Sequence, residues 1–253
     1  MGERPASGDH VFFSGEDRLE GILEWPHTGG GEGGSRGSDG GEAIAAVGGV
    51  VIAHPHPLYG GTMAQPVVYR VAQACRRRGM ATLRFNFRGV GESRGTYSGT
   101  AEYRDVEAAA HYLRGRLVDT TPGRQSGTVQ SPATAGREGG LALAGYSFGS
   151  AMAAMAAKTQ GVVAVALVAY VVGWDEMPRE ALERLAGFEG SVLAVCGDRD
   201  ELAAPRDVEK ALSRLGVDFS LTVIEGADHF FEDRQREVGE RVAAFFETSF
   251  ANR

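Results

Sequence analysis

Cysteine is scarce in this chain. Cys75 and Cys196 are the only two in 253 residues, and neither stands at a metal-ligand spacing. That excludes a disulfide framework and a zinc-ribbon site and leads to an expectation of reduced thiols. Long apolar runs are also missing. The opening MGERPASGDHVFF lacks the apolar stretch of a secretory leader, and no later stretch reaches the ~20 apolar residues of a membrane-spanning helix. A cytoplasmic protein is the expectation. Positive charge is in deficit, with 26 Lys and Arg against 33 Asp and Glu, a formal net charge of −7. Nucleic acid and anionic membranes are therefore excluded as main partners.

Apolar material is ample: 43% of residues are hydrophobic and 23% charged, enough for a large core. Val11–Phe13 and Arg18–Trp25 read as a hairpin around the turn Ser14–Asp17. From about residue 47 onward, short apolar runs alternate with amphipathic stretches. Val47–Ala53, Ala81–Phe87, Leu141–Tyr146, Val162–Tyr170, Val192–Cys196 and Phe219–Ile224 read as strands. Gln65–Arg78, Ala101–Leu117, Pro205–Leu215 and Gln235–Phe250 read as helices, and a short helix is expected after Pro178. The alternation predicts an α/β fold, a mainly parallel eight-stranded sheet flanked by helices on both faces. Two Gly-, Ser- and Thr-rich segments, 27–44 and 119–140, read as flexible inserts in one domain spanning residues 1–253.

The stretch LALAGYSFGSAMAAMAA, Leu141 to Ala157, carries the sharpest signal. It is a strand, a tight turn and a helix, with Gly145-Tyr146-Ser147-Phe148-Gly149 at the turn. That pentapeptide fits the G-x-S-x-G nucleophile elbow, which holds a serine clear of the sheet on a strained turn. The chain passes so tightly there that side chains at Gly145 and Gly149 would clash. The helix that follows aims its N-terminal amides at charge developing beside Ser147.

A serine hydroxyl needs a base to take its proton and a third group to orient that base. Both are available downstream, just past strands. His229 follows the run ending at Ile224, and Cys196-Gly197-Asp198-Arg199-Asp200 offers two aspartates. Asp200, further out on the loop, is the choice for the acid; Asp198 suits a turn cap. The order Ser147, Asp200, His229 matches the chain order of this type of triad. An oxyanion hole needs two N–H donors. Phe148 supplies one. For the other, Pro55 and Pro57 have no N–H, which leaves His56 or Leu58, with His56 preferred. His54 and His56 could also be read as metal ligands, but nothing clusters with them, so no metal and no cofactor are expected. Gly89-x-Gly91-x-x-x-Gly95 lacks dinucleotide-binding spacing and reads as a turn after a strand. Met152 and Met155 read as core.

His54–Gly61 (HPHPLYGG), Phe87–Ser93 (FRGVGES), the elbow, Gly197–Asp200 and Asp228-His229 together resemble the α/β-hydrolase superfamily, and within it small bacterial-type serine hydrolases that carry HPHPLYGG after the third strand. The resemblance covers nearly all of the chain outside the two inserts. It implies the α/β-hydrolase fold and a triad of Ser147, Asp200 and His229. Two departures stand out: Asn86 where many members have aspartate, and only Val171 to Gly190 for a cap, which implies a minimal cap or none. Tyr59, Met63, Trp174 and Phe230 lie near the expected mouth as candidate substrate contacts. The expected partner is a small-molecule acyl substrate. Two readings remain open: a hydrolase of esters, amides or thioesters, and a binding protein on the same fold that has lost turnover.

Overall fold

The computed structural model describes residues 8–26, 46–119, 140–176, 178 and 180–252. The expected inserts at 27–44 and 119–140 fall outside these residues except for Asp119, the last residue of a helix, and Gly140. Asp9–Ser14 (β1) and Arg18–Glu24 (β2) form the opening hairpin. Then come Gly49–Ala53 (β3), Pro66–Arg77 (α1), Ala81–Phe85 (β4), Tyr103–Asp119 (α2), Leu141–Tyr146 (β5), Phe148–Met155 (α3), Val162–Val168 (β6), Ser191–Gly197 (β7), Pro205–Ser213 (α4), Phe219–Ile224 (β8) and Gln235–Ala251 (α5).

All eight strands join one sheet, in the order β1-β2-β4-β3-β5-β6-β7-β8. β1 and β2 run antiparallel to their neighbours, and the other pairs are parallel. The central strands β3, β4 and β5 are buried along their whole length, as their unbroken apolar runs require when helices cover both faces. Two adjacent glycines reveal those layers. A Cβ at Gly48 would strike the Phe250 ring of α5, and one at Gly49 would strike Leu113 and Leu117 of α2. Successive residues of a strand face opposite sides, so α5 and α2 cover opposite faces.

Helix α1 begins at Pro66, whose missing N–H costs nothing in the first turn. It buries Val68, Val71, Ala72 and Cys75, and its end reaches α5, where Arg77 and the C-cap Arg78 pair with Glu240. Cys75 and Cys196 are free and buried, and burial raises both thiol pKa values, which keeps them protonated. The short helix expected after Pro178 is met by a 3-10 helix, Glu183–Leu185, in the β6–β7 connection, where Ala181, Leu182, Leu185 and Phe188 are buried. Among the described residues, no helix is long and apolar enough to cross a membrane.

Gly239 lets α5 settle on α1: a Cβ there would lie 2.6 Å from the Arg70 carbonyl oxygen. In a free helix Gly→Ala gains up to about 1 kcal/mol. Here the obstacle is backbone, which cannot rotate away, and overpacking of this kind costs about 1–3 kcal/mol. Gly239→Ala is therefore expected to lower stability in urea unfolding, against its helix propensity; a stabilised variant would refute the close contact.

Candidate active site

Ser147 sits between β5 and α3 with φ 54° and ψ −117°, a conformation that L-residues rarely adopt. Two glycines make it possible. A Cβ at Gly145 would lie 2.0 Å from the Gly149 carbonyl oxygen, and one at Gly149 would lie 2.5 Å from the carbonyl oxygens of Ala53 and His54. The clash read from the sequence is thus identified atom by atom. The Ser147 N–H donates to the Val168 carbonyl at 2.8 Å, which pins the turn to β6.

Ser147, His229 and Asp200 are brought together from the carboxyl ends of β5, β8 and β7. The Ser147 Oγ lies 3.1 Å from His229 Nε2, and His229 Nδ1 lies 2.9 Å from Asp200 Oδ2. An ionised carboxylate only accepts, so Nδ1 carries the proton and Nε2 presents a lone pair to the serine. All three residues are buried. Burial alone would raise the Asp200 carboxyl, but the His229 ring and the N–H groups of Ala203 and Leu202 outweigh it and hold the group below the usual carboxylate range. Those two N–H groups take Oδ1 and leave Oδ2 to the histidine. Asp198, the competing aspartate, accepts the Gly226 N–H at 2.7 Å and ties the β7 loop to the β8 loop.

Across the elbow lies the loop after β3. The His56 ring packs edge-on against Phe148 at 4.9 Å. The Leu58 N–H is spent on His56 Nδ1, whereas among the described residues no acceptor takes the N–H of His56 or of Phe148. Of the two donors left open by the sequence, His56 is the free one. Its peptide plane is held from behind. The His54 Nε2 accepts the Phe87 N–H at 3.1 Å, so the proton is on Nδ1, which donates to the Pro55 carbonyl at 2.6 Å. The Pro55 C=O and the His56 N–H belong to one trans peptide and point in opposite directions. Anchoring the first aims the second. With both ring nitrogens of His54 in hydrogen bonds and His56 Nδ1 taken by Leu58, the pair is not arranged as metal ligands.

The four residues expected at the mouth divide. Tyr59 and Trp174 stack at 6.0 Å, and Trp174 also meets the His56 ring at 5.5 Å. Phe230 stands edge-on to His229 at 5.7 Å. The backbone of Met63 is held at β4, where its N–H donates to Asn86 and its C=O accepts from Arg84. Asn86 also donates to Glu20, so the aspartate-to-asparagine departure suits a structural position beside a carboxylate. The Arg88 guanidinium holds Asp105 of α2, and Gly89 and Gly91 turn the chain at positive φ, so FRGVGES is a structural turn.

Several neighbours of the site were not found from the sequence. The Tyr97 hydroxyl lies 2.8 Å from His56 Nε2, and Glu176 accepts from the Tyr59 hydroxyl at 3.0 Å. Neither stands in a motif. The Tyr146 hydroxyl donates to the His229 carbonyl at 2.9 Å and holds the histidine loop; its place beside the nucleophile was the one available signal. Elsewhere, His10, Glu20 and Glu92 gather possible ligand atoms within 4.8 Å, but Glu20 already receives the Asn86 amide and the Glu92 N–H.

Residues 48–248 match the family described as alpha/beta hydrolase domain. The chain belongs to this family. A solved alpha-beta serine hydrolase homologue from Coxiella burnetii is 27% identical to this alpha/beta hydrolase, with 96% of this chain and 99% of that one covered and a TM-score of 0.73. A Xanthomonas campestris structure described as a serine hydrolase without lid shares the fold at 23% identity, 96% coverage of both chains and a TM-score of 0.70. An uncharacterized protein of Rickettsia prowazekii is 27% identical over 216 residues, 80% of this chain and 79% of its own. The fold is the alpha/beta hydrolase fold, and the described part of the β6–β7 connection contains no cap domain.

Burial pushes the His54 imidazole of this hydrolase down to about 4, although the Pro55 carbonyl opposes the shift; neighbouring His56 adds to it. In the unfolded chain the ring titrates near ~6.5, so between those values the unfolded state binds more protons. The stability that depends on neutral His54 is complete above about 6.5 and is lost as pH falls through about 4, a change of ~3 kcal/mol. Urea unfolding from pH 7.5 to 4 is expected to show this loss in the wild type and a shallower one in His54→Asn. Equal slopes would refute the buried neutral ring.

Proposed function

We propose that the protein is a serine hydrolase that cleaves a carboxylic ester through an acyl-enzyme, with Ser147, His229 and Asp200 as its triad and the N–H groups of His56 and Phe148 as its oxyanion hole. The hydrogen-bonded sequence Ser147–His229–Asp200 carries this reading. Ser147 Oγ attacks the acyl carbon while His229 Nε2 takes its proton. Negative charge moves to the carbonyl oxygen, where two N–H donors in a water-poor site lower the barrier; one such donor contributes roughly 10²–10³ in rate. The tetrahedral adduct expels the alcohol, which takes the proton from His229. Water, activated by the same ring, then releases the acid and restores Ser147. Asp200 fixes the tautomer and stabilises the imidazolium, which its low carboxyl pKa suits.

An ester is favoured by the aromatic side chains beside the nucleophile: Tyr59, Trp174 and Phe230 offer apolar contact and no cation for a charged acyl group. We also propose that the chain groups with the serine hydrolases that carry HPHPLYGG, which His54–Gly61 spells in the loop after β3. Hydrolysis of p-nitrophenyl butyrate is expected to fall by about 10⁶ in Ser147→Ala and about 10⁴ in Asp200→Asn, with folding unchanged by circular dichroism. A fluorophosphonate probe is expected to label the wild type at Ser147. A folded wild type that neither labels nor turns over would favour the binding-protein reading.

A further inference from the structure

Large apolar side chains exposed to solvent are not scattered evenly over this molecule. Among the eight such side chains of the described residues, Leu58 (69% exposed), Tyr59 (65%), Phe230 (63%), Leu202 (59%) and Val172 (39%) stand on loops at the carboxyl edge of the sheet. Leu58 and Tyr59 follow the His56 donor. Val172 follows β6, two residues before Trp174. The Leu202 N–H is bonded to Asp200. Phe230 adjoins His229. Four loops at the carboxyl edge of the sheet thus raise an apolar collar around the Ser147 hydroxyl. Exposed apolar groups concentrated in one patch mark a contact surface.

The charges among these side chains narrow what the collar meets. The loop after β6 carries Asp175 and Glu176; the loop after β7 carries Glu201 against Arg199; the loop after β8 carries Asp228 and Glu232 against Arg234, so carboxylates outnumber arginines among them. Such a rim repels a negatively charged surface and anionic acyl carriers. No cap domain folds over the collar in the described β6–β7 connection. A substrate dissolved singly would cover only part of this surface, whereas a condensed neutral ester would cover all of it at once.

We propose that the collar seats the enzyme on the surface of an uncharged, poorly soluble ester, so that Ser147 draws its substrate from a neutral droplet rather than from solution. This inference rests on the ester-hydrolase reading above and adds to it the physical state and charge of the substrate. Interfacial attachment by exposed apolar side chains scales with the apolar area buried.

The experiment has two arms. In the first, inactive Ser147→Ala protein is spun with tributyrin droplets stabilised by phosphatidylcholine and with matched droplets containing phosphatidylglycerol. Binding to the neutral droplets is expected, at least fivefold weaker binding to the anionic ones, and at least a tenfold loss in Ser147→Ala protein that also carries Leu58→Ser and Leu202→Ser. This arm reads attachment without turnover, so it stands even if the ester-hydrolase reading fails. In the second, wild-type rate is followed as tributyrin passes its solubility limit. A steep rise at the limit is expected, and the ratio of the rate above the limit to the same protein's rate below it is expected to fall at least fivefold in Leu58→Ser/Leu202→Ser. No droplet binding, tighter binding to anionic droplets, or a rate that saturates smoothly through the solubility limit would overturn the proposal. So would sedimentation velocity showing a dimer that the double variant dissolves, since the collar would then cover a second copy of the chain.

Discussion

The site depends on two stretches of backbone lying closer together than any side chain allows. Gly149, in the first turn of α3, rests on the carbonyl oxygens of Ala53 and His54 at the end of β3. Gly145 passes equally close to Gly149 itself. These contacts bring the start of α3 against the loop that carries His56, and two N–H groups without acceptors come to flank one serine. They also force Ser147 into its positive φ. The strain is held by a deeply buried sheet on one side and by the Ser147 N–H bond to β6 on the other.

Around that contact, proton positions are set by which partner is unable to donate. A carboxylate only accepts, so Asp200 fixes the proton on His229 Nδ1. A peptide N–H only donates, so Phe87 forces His54 Nε2 to be bare and sends its proton to Pro55. Leu58 does the same to His56 Nδ1, which leaves the His56 Nε2 proton facing the Tyr97 hydroxyl. Burial lowers the pKa of both histidines in the loop after β3, that of His56 despite the pull of Glu176 and Glu102. Three imidazoles near one centre thus take three different roles, distinguished by their hydrogen-bond partners.

The polar residues after β4 support the loop after β3 from the flank. Asn86 bridges Glu20 and the Met63 N–H, and Ser93 accepts the Glu20 N–H while donating to the Asn86 carbonyl. Arg88 clamps this loop to α2 through Asp105. The network is buried and paired throughout, which suits a rigid base for the loop it carries. The opposite rim, from β6, has little of this. Among its described residues it holds one 3-10 turn and touches the loop after β3 through Tyr59, Trp174 and Glu176, and its apolar side chains meet solvent.

Much of this was legible in the sequence. Buried strands announced themselves by unbroken apolar runs at Gly49–Ala53 and Leu141–Tyr146, helices by their stripes, and the elbow by two glycines around a serine. Those signals are local, and local sterics and solvent exclusion impose them wherever the chain goes. Proline settled part of the oxyanion loop in the same way, because a missing N–H is missing in every conformation. The short helix expected after Pro178 is one 3-10 turn, and its length was not legible, because helix length depends on what the rest of the molecule buries. Tyr97 and Glu176 carried no local mark at all. Which N–H stays free, which aspartate reaches His229, and that five scattered apolar residues form one collar were decided by tertiary structure alone, because each depends on distances between loops that only the closed sheet brings together.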